Sequence, residues 1–275
     1  MGKLDQDGFC SLYVAVDAYY LDKLLLTYPT WVFSRPEIIR MPHVFVADSQ
    51  QVSALDPRWS KIQRAREDAA AHHKLSLRDT RFEIINWAMD HANGVISQRE
   101  EMLTGLVRCA KHVRTPWYLK LDADTFSKGP GGFYYDKWFR DDTCYISSPW
   151  GYTRPAGTVA KMNEWAKGVP ELADLPAVPF TAQGEGPRSK DCHARMASWI
   201  MFGSTSWTTW ASELCRDTRL PFPSQDTYLS YIQARTGKKW VPAKYRHMNW
   251  EHCRNMDGLR AACAAALSAM GQEAC

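Results

Sequence analysis

Two aspartates, Asp122 and Asp124, stand one residue apart at the end of the run WYLKL, residues 117–121. Carboxylates held that close repel each other, and a divalent cation between or beside them relieves the repulsion. Mg2+ and Mn2+ prefer oxygen ligands and keep positions open for substrate phosphates. The pair therefore suits a cation that bridges a diphosphate. The spacing alone is a weak signal, because Asp5 and Asp7 repeat it in a polar stretch where nothing suggests chemistry. Context separates the two: Asp122 and Asp124 follow a buried-looking strand and precede Thr125 and a glycine-rich loop.

Further along, PSQDTYLSYIQARTG places Asp226 at the start of a helical pattern, where the helix dipole favours a carboxylate. His247 and His252 follow the next strand pattern and could reach a metal or a diphosphate. His72 and His73 have no carboxylate or cysteine at ligand spacing, so they read as helix surface. His252 and Cys253 lack the second cysteine pair that a zinc site would need.

These residues need elements to position them. Leu12–Val16 and the run HVFVADSQQ read as strands ending in Asp17 and Asp48, with a helix over Leu21, Leu24, Leu25 and Tyr28 between them. Trp59–Ala71 reads as a helix, and Phe82–Ala92 as strand or helix. A helix capped by Ser97 and Glu100 carries Met102, Leu103, Leu106, Val107 and Ala110 on one side. It leads into the strand before Asp122. Further strands are expected in TCYISSPWGYT, in HARMASWIMFGSTSWTTWASELC, which reads as strand then helix, and in KKWVPAKYRHMNWEHC, a last strand and its exit, with an alanine-rich helix from Leu259. Strands alternating with helices imply an α/β fold with a central, mostly parallel sheet flanked by helices. In such sheets ligands sit at the carboxyl ends of strands, where Asp17, Asp48 and Asp122/Asp124 all lie. Residues 151–190, rich in Gly, Pro and charge, read as a mobile loop.

Composition narrows the function classes. The 275 residues suit one large domain or two small ones, and the net charge of +4 is too small for a dedicated nucleic-acid binder. Residues 58–81 are locally basic, with Arg58, Lys61, Arg64, Arg66, Lys74, Arg78 and Arg81, and read as a solvated helix face. Eight cysteines without a C-x-x-C pair read as reduced thiols of a cytoplasmic protein. Asp17 and Asp22 interrupt the only apolar stretch that could be a leader, Gln6 argues against myristoylation at Gly2, and no run is long enough to span a membrane. Trp150, Trp199, Trp207 and Trp210 could shape an acceptor cleft, with plain packing the competing reading.

Residues 99–125, REEMLTGLVRCAKHVRTPWYLKLDADT, resemble the central segment of GT-A-fold glycosyltransferases, in which an amphipathic helix leads to a strand ending in D-x-D. The later order of Asp226, Gly237, Val241-Pro242 and then His247 or His252 is similar to that family too. The resemblance implies a single GT-A-like, Rossmann-like domain over 1–275. Residues 10–125 would form the nucleotide-sugar half, 126–255 the acceptor half with the 151–190 loop, and 256–275 a helical tail. It implies a metal-dependent transfer from a nucleotide-diphosphate sugar, a UDP-sugar first, to the hydroxyl of a glycan, a small molecule or a nucleic acid. Val16, Asp17, Asp48, Arg99 and Asp122 would contact the donor. Asp122, Asp124 and His247 or His252 would hold Mn2+ or Mg2+, and Asp226 would be the general base of an inverting reaction. A non-catalytic sugar-binding protein is one alternative. Haloacid-dehalogenase-like phosphatases also use D-x-D after a strand, but they take Thr or Val two residues after the second Asp, where this chain has Phe126.

Overall fold

The computed structural model describes residues 3–77, 81–87, 112–131, 136–140, 143–147, 156–178, 200–214, 225–242 and 249–272. The chain opens with β1 (Cys10–Val16), α1 (Ala18–Ser34), α2 (Pro36–Arg40), β2 (His43–Asp48), α3 (Pro57–His72) and β3 (Phe82–Trp87). Then come β4 (Trp117–Leu121), β5 (Thr125–Ser127), β6 (Thr143–Ser147), α4 (Ala156–Ala166), α5 (Pro170–Ala173) and β7 (Ile200–Ser204). The last elements are α6 (Thr205–Glu213), α7 (Gln225–Arg235), β8 (Lys239–Pro242), β9 (Trp250–His252) and α8 (Met256–Ala269).

Seven strands form one sheet in the order β3-β2-β1-β4-β7-β6-β8. Neighbours pair in parallel except β7, which runs antiparallel to both β4 and β6. This is the mixed, mostly parallel α/β sheet that the alternating elements predict. Residues of the strands alternate between two cores, as a period of two requires. Leu12, Val14, Val16, Phe45, Leu119 and Phe202 pack on the side of α1 and α3. Tyr13, Val44, Val46, Tyr118 and Met201 pack on the side of α6 and α7. Both faces being covered explains why β1, β2 and β4 are nearly continuous apolar runs.

Strand order reverses at β1, whose neighbours are β2 on one side and β4 on the other. A crevice at the carboxyl ends of such strands is where open α/β sheets bind ligands. A second, two-stranded sheet lies just beyond: β5 pairs antiparallel with β9, and Thr125 faces His252.

Two expectations need correcting. Residues 156–173 form α4 and α5 where a loop was expected across 151–190. Val159, Met162, Ala166, Val169 and Leu172 recur at three- and four-residue spacing and are buried, so packing outweighs the Gly and Pro content of their flanks. The basic face of α3 is not solvated throughout either. Arg66 is buried and donates to the carbonyls of Ile39 and Met41, while Lys61 and Arg64 are exposed. The helix expected after Ser97 lies outside the described residues. Among those described, no helix is long and apolar enough to cross a membrane.

Candidate metal centre

The site is built by α1 gripping the turn that follows β4. Lys23, Thr27, Thr30 and Trp31 recur at helical spacing and form one polar stripe. The Lys23 ammonium donates to Asp124 Oδ2 at 3.1 Å, and the Thr27 hydroxyl donates to the Ala123 carbonyl at 2.8 Å. The Trp31 indole donates to the Thr125 carbonyl at 2.6 Å, and the Ser127 amide donates to the Thr30 hydroxyl at 3.1 Å. Each such bond contributes on the order of 1 kcal/mol net, and together they fix the backbone of residues 123–127 against the helix. Asp17 starts α1: its carboxylate accepts from the Tyr20 amide at 2.7 Å as the N-cap.

From the opposite side β9 brings its histidine. The β5–β9 pairing continues with the Cys253 amide donating to the Asp124 carbonyl at 3.0 Å. His252 Nε2 lies 3.1 Å from Asp124 Oδ1. Asp122, Asp124 and His252 thus each offer one ligand atom, all within 4.8 Å of one another. Asp124 is buried, whereas the Asp122 and His252 side chains each keep 25% of their surface in solvent. The centre is therefore anchored inside and open outside.

Two lysines complete it. Lys23 pairs with Asp124, and Lys120, buried on β4, donates to Asp122 Oδ1. Burial alone would raise the Asp124 carboxyl. The hydrogen bond and charge of His252, and then the Lys23 ammonium, outweigh burial and hold it below the usual carboxylate range. Asp124 is accordingly ionised and ready to ligate at neutral pH. Two carboxylate oxygens with one imidazole nitrogen fit a divalent cation.

Of the other residues singled out in the sequence, Val16 is buried at the end of β1. Asp48 is 1% exposed and serves its own turn, accepting from the Gln50 amide at 3.1 Å and the Gln51 side-chain amide at 2.9 Å. It does not join the cluster. Asp226 lies in the first turn of α7. Arg99, His247, Trp150 and Trp199 lie outside the described residues. Trp207 is buried in the core, and Trp210 is exposed on the same helix. Lys23 and Lys120 were not anticipated. The available signal was Lys23 at positions i, i+4, i+7 and i+8 with Thr27, Thr30 and Trp31, a hydrogen-bonding stripe on an otherwise apolar helix.

No family model matches this chain, and no curated protein matches it. Solved structures do. Core-mannan synthase A from Aspergillus fumigatus, in an Mn/GDP form, is similar with a TM-score of 0.55 at 11% identity, over 92% of this chain and 79% of that one. The mannosyltransferase Ktr4p from S. cerevisiae in complex with GDP is similar with a TM-score of 0.52 at 9% identity, over 98% of this chain and 83% of that one. At such identities the likeness speaks for the backbone, and together with the sheet order and the Asp-Asp-His cluster it establishes that this chain has the GT-A fold.

Proposed function

We propose that this protein transfers a glycosyl group from a nucleoside-diphosphate sugar to an acceptor hydroxyl, with Mn2+ held by Asp122, Asp124 and His252. The observation that carries the reading is the convergence of those three side chains beside the carboxyl ends of β1 and β4. Two solved structures of the same fold support it, a mannan synthase in an Mn/GDP form and a mannosyltransferase with GDP. They also move the first donor to try from a UDP-sugar to a GDP-sugar.

When bound, the cation offsets negative charge that builds on the departing diphosphate. The protein's own part is positioning. The α1 stripe holds Asp124, the β5–β9 pair holds His252, and the half-exposed carboxylate of Asp17 keeps one oxygen for the nucleoside. Val16 lines the same strand end. Arg99 is assigned to the diphosphate, and His247 remains a second candidate for it. Asp48 contributes indirectly, through the turn it closes. Asp226 is assigned the acceptor's proton, which makes the reaction inverting.

A panel of GDP-, UDP- and dTDP-sugars with Mn2+ tests the reading through nucleotide release. Release from one donor, abolished by EDTA, is the expected result. No binding and no release with any of them would overturn the assignment. With an acceptor in hand, Asp226→Asn should lower transfer by roughly 10²-fold or more while nucleotide binding persists. Retained anomeric configuration in the product, read by proton NMR, would remove Asp226 as the base.

A further inference from the structure

The two lysines give this cluster a property that its ligand set alone would not have. Lys23 and Lys120 are each 2% exposed. The Lys23 ammonium sits 4.7 Å and 4.9 Å from the ring centres of Tyr19 and Tyr20, so aromatic faces as well as Asp124 Oδ2 hold it in place. Lys120 is held on Asp122 Oδ1. Two ammonium charges therefore cancel the two carboxylate charges before any cation arrives. A free dication approaches a cluster with no net negative charge and with two fixed positive charges beside its seat. A diphosphate supplies the missing negative charge.

We propose that Lys23 and Lys120 are resident counter-charges that make the Asp122–Asp124–His252 cluster bind a divalent cation only in company with a diphosphate. The proposal rests on the reading of the cluster as a metal site. Lys23 also selects the ligating oxygen. It occupies Asp124 Oδ2, which puts the cation's place at Oδ1, the oxygen that faces His252 Nε2 at 3.1 Å. Because coupling between two ligands is reciprocal, the nucleotide must depend on the cation as much as the cation depends on the nucleotide. The protein thus takes its donor as a metal complex and does not load from free cation.

The test titrates MnCl2 into the full chain and follows free Mn2+ by electron paramagnetic resonance, without nucleotide and with saturating GDP or UDP. The expected result for the unaltered protein is Mn2+ binding at least about tenfold tighter with one nucleotide present, within the usual range of coupling factors. Lys23→Met, which keeps length and apolar packing, should tighten binding of Mn2+ alone at least about tenfold and shrink the coupling. Lys23→Arg keeps the charge and should restore it. Lys120→Met provides the same reading if Lys23→Met does not fold, as checked by thermal unfolding. Equal affinity for Mn2+ with and without nucleotide overturns the proposal and leaves the metal site standing. So does unchanged affinity for Mn2+ alone in both Met variants. Absence of Mn2+ binding in every protein, with either nucleotide, removes the metal site and the proposal with it.

Discussion

Helix α1 touches two buried polar clusters, and they differ in what closes them. In the first, the Tyr28 hydroxyl meets His43 Nε2 at 2.9 Å, and His43 Nδ1 meets the Met41 carbonyl at 2.7 Å. Arg66 donates to the carbonyls of Ile39 and Met41. In the second, Lys23 meets Asp124, which meets His252. Both clusters hold a histidine and a buried cation. The first satisfies its cation with neutral carbonyls and is sealed, with His43 fully buried. The second satisfies its cation with an ionised carboxylate and opens to solvent through Asp122 and His252. A buried cation is therefore no sign of a site by itself. The charge of its partner and an exit to water make the difference.

Asp124→Asn attacks the open cluster and should have the largest effect. It removes one ligand and leaves the Lys23 ammonium buried without its counter-charge. Breaking a buried pair from one side costs about 3–5 kcal/mol. Mn2+-dependent nucleotide release should fall by roughly 10²–10³, the scale of one lost electrostatic stabiliser. Combining it with Lys23→Met separates the two losses: thermal stability should return while release stays low. If the double variant recovers release as well, Asp124 serves the fold and not the chemistry.

Arg66→Met makes the matching cut in the sealed cluster. It strands the buried Ile39 carbonyl, while the Met41 carbonyl keeps its bond from His43 Nδ1, so a loss of about 1–3 kcal/mol is expected in urea unfolding. Coupling between Mn2+ and nucleotide should stay within about twofold of the unaltered protein. A large change in coupling would mean that the sealed cluster communicates with the open one through α1.

The sealed cluster should also set an acid sensitivity. Burial, and then the charge of Arg66, holds His43 well below its ordinary 6.5, against the raising effect of its bond to Met41. Below pH 6.5 the unfolded chain binds a proton at this residue and the folded chain does not. Stability is therefore fully present above pH 6.5 and falls as pH drops, by up to about 1.4 kcal/mol per pH unit, until the folded pKa is reached. Urea midpoints at pH 7.5, 6.5 and 5.5 should show this slope, and His43→Gln should flatten it. An equal slope in both proteins would assign the acid sensitivity to other groups.

The contrast also marks how far the sequence could be read. The sheet was legible because β1, β2 and β4 are apolar runs bounded by acids, and Asp122/Asp124 stood out because two carboxylates end one of those runs. That His252 meets Asp124 was not legible, because the three-residue pairing of β5 with β9 joins positions about 125 residues apart and has no local signature. Lys23, between Asp22 and Leu24, was not singled out in the sequence. Its role depends on the turn after β4 lying against α1, which only the folded chain brings about. Arg66 shows the same limit in reverse: grouped with Arg64 by charge alone, it points inward because α3 presents that position to the end of α2.

The smallest effect is expected where α3 meets water. Lys61 and Arg64 are exposed and belong to neither cluster. Changing both to Ala should alter stability by no more than about 0.5 kcal/mol, the usual range for surface positions. Donor binding and nucleotide release should be unchanged, because these charges lie in water where salt screens them over about 8–10 Å. The same variant examines the nucleic-acid acceptor that the basic 58–81 stretch raises. If these side chains neutralise phosphates, nucleic-acid binding should weaken across all sequences, and the salt slope should drop by about one for each lysine or arginine removed. The structure favours the first outcome. Of the seven basic residues, Arg66 is consumed by backbone carbonyls and Arg58 by Asp22 and Asp56, which breaks the stripe a polyanion would need. Gel shifts at two salt concentrations should therefore find the variant and the unaltered protein alike, and a slope that falls by two would make α3 an acceptor surface.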